Sequence, residues 1–127
     1  MYYAFSPVER MAYRTSPTNI GLYLACLVGA RDMGFITSTE LEFYARKTAN
    51  TIAGLPKWKG NLYNWYDIKT LEILGDPFIS TVDSGNFVCA VSAFCEGLKE
   101  YAGECPKILD VLRFYENILK NTDLEAL

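Results

Sequence analysis

From residue 16 to about residue 120 the chain alternates two kinds of helical pattern. Ile20 to Ala30 is apolar at nearly every position, and a helix of that kind is surrounded by protein. Ser16-Pro17 starts it: the serine hydroxyl can accept an orphan N–H, and proline fits the first helical position. The pattern predicts a helix from about Pro17 to Met33, with Gly34 as its left-handed stop. Thr37-Ser38-Thr39-Glu40 is a capping box for a second helix, about Ser38 to Ala53. There Leu41, Tyr44, Ala45, Thr48, Ala49 and Ile52 recur at steps of three and four, and the charged residues lie mainly off that stripe. This helix is amphipathic, and Gly54 and Pro56 end it.

The same pair of patterns returns. Ser80, Asp83 and Ser84 are each able to cap a third helix that runs to about Tyr101 and is apolar nearly all round through Phe87, Val88, Cys89, Ala90 and Val91. Gly103 stops it. Cys105-Pro106 then opens an amphipathic fourth helix to about Lys120, striped by Ile108, Val111, Leu112, Tyr115, Ile118 and Leu119. The tail from Asn121 to Leu127 is expected to fray. Before the first helix, residues 1–15 are aromatic and basic by turns, with a short helix start at Ser6-Pro7. Between the pairs, residues 55–82 form a long loop, with a small hairpin expected across Tyr63–Asp67 and Leu71–Leu74. Loops of that length in compact domains are often functional.

The expected fold is therefore all-α: two helical hairpins with alternating buried and amphipathic helices in one domain over 1–127. The bland alternative is a four-helix bundle. Two all-apolar helices are more than four helices easily enclose, so the chain either self-associates or is part of something larger.

Composition narrows the chemistry. The chain has 127 residues, 50% hydrophobic and 21% charged, which suits one globular domain. Its net charge of −3 argues against a nucleic-acid partner. No apolar run is long enough to span a bilayer, and no signal peptide is expected. Cys26, Cys89, Cys95 and Cys105 fall in no CxxC pattern and read as reduced, buried small hydrophobes in a cytoplasmic chain. With no histidine, His-based catalytic triads and the usual zinc ligands are gone, and no metal or cofactor is expected.

The most informative stretch is Gly60-Asn61-Leu62-Tyr63-Asn64-Trp65-Tyr66-Asp67, with three aromatic rings, two amides and a carboxylate. Flat apolar faces beside a few placed polar groups are what a ligand groove needs. Sugars, with apolar C–H faces and a rim of hydroxyls, fit such a mixture. The competing reading is a loop whose aromatics plug a helical core while Asn and Asp cap helices.

Four spaced blocks carry a family resemblance: Arg14 to Leu22, Ala30 to Ile36, Gly60 to Asp67, and Ser80 to Asn86. Together, over roughly residues 10–101, they resemble the glycoamylase-like region of cyclic β-1,2-glucan synthases. The resemblance implies an (α/α)-toroid context, a β-glucan oligosaccharide ligand and a carbohydrate-active role. A full module is several times longer, so only a partial (α/α) toroid is expected here. Any activity that needs later hairpins is then absent from this chain alone.

On that basis Asp67 and Asp83 are the candidate acids, for sugar contact first and only secondarily for catalysis. Glycoside hydrolysis needs two carboxyl groups about 5 Å apart for retention, or about 6.5–9.5 Å for inversion. The alternative is that Asp83 caps the third helix and Asp67 holds its loop. Asn19 and Asn86 sit on the first turns of the two apolar helices and can face one mouth. Asn64 belongs with them, and Trp65 and Tyr66 are the stacking candidates, one of the two being expected in the core. Arg14, Arg31 and Asp32 are expected to brace the hairpins. The expected function is binding or remodelling of β-glucan without complete catalysis. The rival is a non-catalytic helical interaction module, with a second copy or the rest of the toroid as partner.

Overall fold

The computed structural model describes residues 13–127, so the short helix expected at Ser6-Pro7 lies outside the described residues. In chain order the elements are β1 (Arg14–Thr15), α1 (Pro17–Asp32), α2 (Ser38–Gly54), β2 (Lys57–Trp58), β3 (Asn61–Leu62), β4 (Tyr66–Asp67), α3 (Thr81–Tyr101) and α4 (Ile108–Asn121). The helix starts follow local chemistry. Ser16 caps α1, and Thr37 with Glu40 completes a reciprocal capping box on α2. Of the three candidates for α3, Ser80 is the cap, its hydroxyl accepting from the Asp83 N–H at 3.2 Å. Gly34 (φ 80°) closes α1, with Phe35 N–H on the Ala30 carbonyl and Gly34 N–H on that of Arg31. α4 begins at Ile108 rather than at Cys105-Pro106, because those residues form a preceding turn that accepts from Ile108 and Leu109.

α1 and α3 lie side by side and parallel. Thr18 meets Asp83 at their starts, and the Tyr101 hydroxyl donates to Asp32 at their ends. The approach is close. A Cβ on Gly21 would sit 2.8 Å from that of Ala90, and one on Gly97 would sit 2.6 Å from Val28 Cγ1. α2 and α4 return antiparallel behind them, and Tyr115, fully buried, donates to the Ala45 carbonyl across the outer pair. The core lies between the two layers, built on Leu24, Leu41, Ile52, Val91, Phe94 and Ile108. Arg31 braces the far end. Its Nε donates to Ser38 at 2.9 Å, its Nη2 pairs with Glu104 at 2.9 Å, and its plane covers the Tyr101 ring.

One expectation needs correction. Among the described residues, α1 is enclosed on its core side and its α3 side only. Leu22 is 58% exposed, Phe35 77% exposed, and Met33 lies open beside them. The helix is apolar all round, but the two described hairpins supply neighbours for the core side and the α3 side. For the same reason Cys26 and Cys89 are exposed; Cys95 and Cys105 are buried as expected. All four thiols are free. Among the described residues no helix is long and apolar enough to cross a membrane.

The loop is more ordered than a structureless connection. β2 and β3 form a tight hairpin over Lys59 (φ 50°) and Gly60 (φ 78°). The expected pairing of Tyr63–Asp67 with Leu71–Leu74 is present in reduced form, as a bridge between Tyr66 and Ile73 flanked by two backbone hydrogen bonds. The other edge of β4 pairs with β1, Arg14 opposite Asp67 and Thr15 opposite Tyr66. Nor does the tail simply fray. Asp123 donates its N–H to the Lys59 carbonyl and accepts from Asn61 Nδ2, and a 3₁₀ turn follows at Leu124–Ala126.

Gly60 has no room for a side chain: a Cβ there would lie 2.1 Å from the Asn121 carbonyl oxygen. Gly60→Ala is therefore expected to cost roughly 3 kcal/mol or more in urea unfolding, from left-handed strain plus displaced backbone. Gly75→Ala, at φ 73° in open space, is the control and should cost only about 1 kcal/mol. Equal losses would mean that the hairpin and the end of α4 do not touch.

Candidate functional site

The polar residues gather where α1 and α3 begin. Asp83, in the first turn of α3, is the hub. Its Oδ1 accepts from the Thr18 hydroxyl at 2.5 Å. Asn64, its amide oriented by its neighbours, donates to Asp83 Oδ2 at 2.7 Å and accepts from Trp65 Nε1 at 2.9 Å. Thr18 Oγ1 also accepts a long bond of 3.4 Å from Asn86 Nδ2. Both Asp83 oxygens are thus engaged, and the carboxylate ties α1, α3 and the aromatic loop together. Trp65 is half-buried, and the Arg14 guanidinium lies 4.3 Å from its ring centroid. That stack leaves at most one indole face for a ligand.

Asp67 plays a different part. Its Oδ1 accepts the N–H groups of Lys69 (2.7 Å) and Thr70 (3.1 Å), while its carbonyl accepts from Leu71. This is a side-chain-capped turn. No hydrogen bond joins Asp67 to Asp83. Tyr66 is fully buried, and its hydroxyl donates to the Pro56 carbonyl at 2.6 Å and accepts the Tyr63 N–H at 2.7 Å. As a stacking residue it is withdrawn, since it has no face left for a sugar; of the two stacking candidates, Tyr66 is the one in the core. Asn19, half-buried, gives its backbone N–H to Ser16. Asn86 is exposed on the matching turn of α3, so both amides stand at one end of the parallel pair.

Sequence reasoning passed over Thr18, although it is the residue that links α1 to Asp83. A threonine two places after a helix cap reads as ordinary, and only the parallel approach of α3 reveals its partner. Arg14 on Trp65 was equally hidden, because it depends on β1 pairing with β4. Among the described residues no group of three His, Cys, Asp or Glu side chains converges on a metal position.

No family model matches the chain. Over 93 residues, 71% of this chain, it is 42% identical to the cyclic β-(1,2)-glucan synthase NdvB of Rhizobium meliloti. The chain is similar to one segment of that synthase. It spans only 3% of the synthase's length. The structure superposes on a candidate glucoamylase from Bacteroides caccae with a TM-score of 0.79 at 13% identity, over 96% of this chain and 30% of that one. A candidate glucoamylase from Bacteroides fragilis gives 0.78 at 12% identity, again over 96% and 30%. An endo-β-1,2-glucanase from Chitinophaga pinensis, solved with sophorotriose and glucose, gives 0.75 at 11% identity over 87% and 27%. At such identities these likenesses speak for the fold, which is all-α and a partial (α/α) toroid. The synthase-like segment thus contains two hairpins of a larger ring, with α1 and α3 as inner helices and α2 and α4 as outer ones.

Two outcomes follow from this end of the molecule. Asp83→Ala strands the Thr18 hydroxyl and the Asn64 amide, so it should lower stability by about 1–3 kcal/mol in chemical denaturation. Burial pushes the Tyr66 phenol up from 10.0 to about 12. An unfolded tyrosine releases its proton first, so stability is complete below pH 10 and falls as pH rises towards 12. Tyr66→Phe should flatten part of that alkaline decline in pH-dependent melting, while costing about 1 kcal/mol at neutral pH.

Proposed function

We propose that the chain is part of a β-glucan-engaging module, and that it holds sugar rather than cleaving it by itself. The observation that carries this reading is the gathering of Trp65, Asn64, Asp83, Thr18 and Asn86 at the mouth formed by the starts of two inner helices. An indole beside amide and carboxylate groups offers a sugar ring both a stacking face and hydroxyl partners. The ligand class rests on the comparisons: the similar synthase is named for cyclic β-(1,2)-glucan, and one structural neighbour is an endo-β-1,2-glucanase. Trp65 is the stacking residue. Asn19 and Asn86 meet hydroxyls, and Asn64, Asp67 and Asp83 contribute by holding the mouth and offering their remaining lone pairs.

Catalysis by this chain alone has less support. Asp83 is committed to Thr18 and Asn64, and Asp67 to its own turn, whereas glycoside cleavage wants two carboxyl groups facing one bond. The free thiols suit a reducing compartment, in keeping with a cytoplasmic location.

Calorimetric titration with β-1,2-gluco-oligosaccharides is the test. Saturable binding is expected, and Trp65→Ala should weaken it about tenfold or more, equivalent to about 1.4 kcal/mol. Trp58→Ala, in the β2–β3 hairpin beside Lys59 and outside the Asp83–Asn64–Trp65 cluster, should leave affinity unchanged. A folded chain that takes up no sugar would sink the reading. Turnover that disappears in Asp67→Asn or Asp83→Asn would overturn its non-catalytic part.

A further inference from the structure

The aromatic loop is backed by a cation. The Arg14 guanidinium lies 4.3 Å from the centre of the Trp65 ring and covers one face of it. The edge of the indole is committed as well. Its Nε1–H donates to the Asn64 side-chain oxygen at 2.9 Å, and the same amide donates to Asp83 Oδ2 at 2.7 Å. One face and the N–H edge of Trp65 are thus used within the chain, and one face remains.

A hydrogen bond at the N–H edge does not set the plane of an indole, since the ring can still swing about that contact. A planar guanidinium stacked on the ring removes this freedom, and a lysine ammonium, which has charge but no plane, cannot reproduce it. Arg14 is itself held in place. β1 pairs with β4 through the backbone, Arg14 opposite Asp67 and Thr15 opposite Tyr66, so the arginine is kept in register beside the tryptophan's own strand. Tyr66, the next residue after Trp65, is anchored in the core through the bond from its hydroxyl to the Pro56 carbonyl. A ring already in position binds at lower entropic cost than one that must be ordered on contact.

We propose that Arg14 is the positioning residue of the sugar mouth. Its guanidinium backs Trp65, holds the indole at one angle beside Asn64 and Asp83, and makes it a platform that a glucose ring reaches from one side only. Arg14 acts through Trp65 and meets no sugar itself. The inference rests on the β-glucan reading for its ligand, but the state of Trp65 is measurable with no ligand present.

Trp58→Phe leaves Trp65 as the sole tryptophan of the chain, so that its emission reports on this site alone. In that background Arg14→Gln should make Trp65 about twofold more quenchable by acrylamide, because the covered ring face opens. Its emission anisotropy should fall as the ring begins to swing. The far-ultraviolet circular dichroism should not change, since β1 pairs through its backbone. In calorimetric titration with β-1,2-gluco-oligosaccharides, affinity should drop by about fivefold or more. Arg14→Lys should move quenching, anisotropy and affinity in the same directions. Unchanged quenching and anisotropy in Arg14→Gln would overturn the proposal. So would a loosened Trp65 with full affinity, or lost affinity with an unmoved Trp65, which would make Arg14 a direct sugar contact. An Arg14→Lys chain identical to its parent would also overturn it, by showing that charge without planar cover suffices. If the parent takes up no sugar while Arg14→Gln frees Trp65, the glucan reading fails and the placement of Trp65 by Arg14 stands.

Discussion

The structure depends on how closely α1 and α3 approach each other. Glycine at 21 and at 97 removes the side chains that would hold the two axes apart, and Ala90 and Val28 fill the space. Polar contacts then pin both ends, Thr18 to Asp83 at the start and Asp32 to Tyr101 at the finish. Two helices fixed at both ends cannot slide by a turn relative to one another. The outer helices inherit this alignment, since α2 and α4 pack on the ridge that the inner pair presents and are joined through Tyr115 and Ala45. The small residues of the seam give up side-chain contact for proximity, and dispersion falls off so steeply with distance that the exchange is favourable over a long interface.

The candidate site is a by-product of that alignment. Asp83 points at Thr18 only because the helices start level, and Asn64 reaches Asp83 only because β1 and β4 hold the loop against the same end. Tyr66 anchors the loop from below through the Pro56 carbonyl and the Tyr63 N–H, leaving Trp65 at the surface with Arg14 on one face. Neighbouring aromatics in one motif thus divide the work between core and mouth.

Much of this was legible in the residues. Caps at Ser16 and Thr37, the left-handed Gly34, the apolar and amphipathic alternation and the four family blocks led to the observed helix order and toroid relationship. What remained hidden depends on contacts between residues far apart in the chain. Nothing in a lone Thr18 announces a partner 65 residues away, and a two-residue strand such as Arg14–Thr15 has too few positions to show alternation. The Lys59-Gly60 hairpin was missed because it lacks the Asn or Asp that usually marks such a turn. Exposure at Cys26 and Cys89 was misjudged because an apolar helix pattern tells that a neighbour is wanted, not that this chain provides it.

The contact between the β2–β3 hairpin and residues 121–123 also bears on the order of events during synthesis. Beyond their own hairpin, Lys59, Gly60 and Asn61 are also held by residues 121–123, some sixty residues later. A hairpin of two-residue strands has little stability by itself. As the chain leaves the ribosome, this turn must wait, unsecured, until α4 has been made, because the loop that joins them has to close before its contacts gain anything. The first helical pair can fold early on local information, whereas the β2–β3 turn is secured late. The turn next to the proposed ligand mouth is therefore secured only once residues 121–123 have been made.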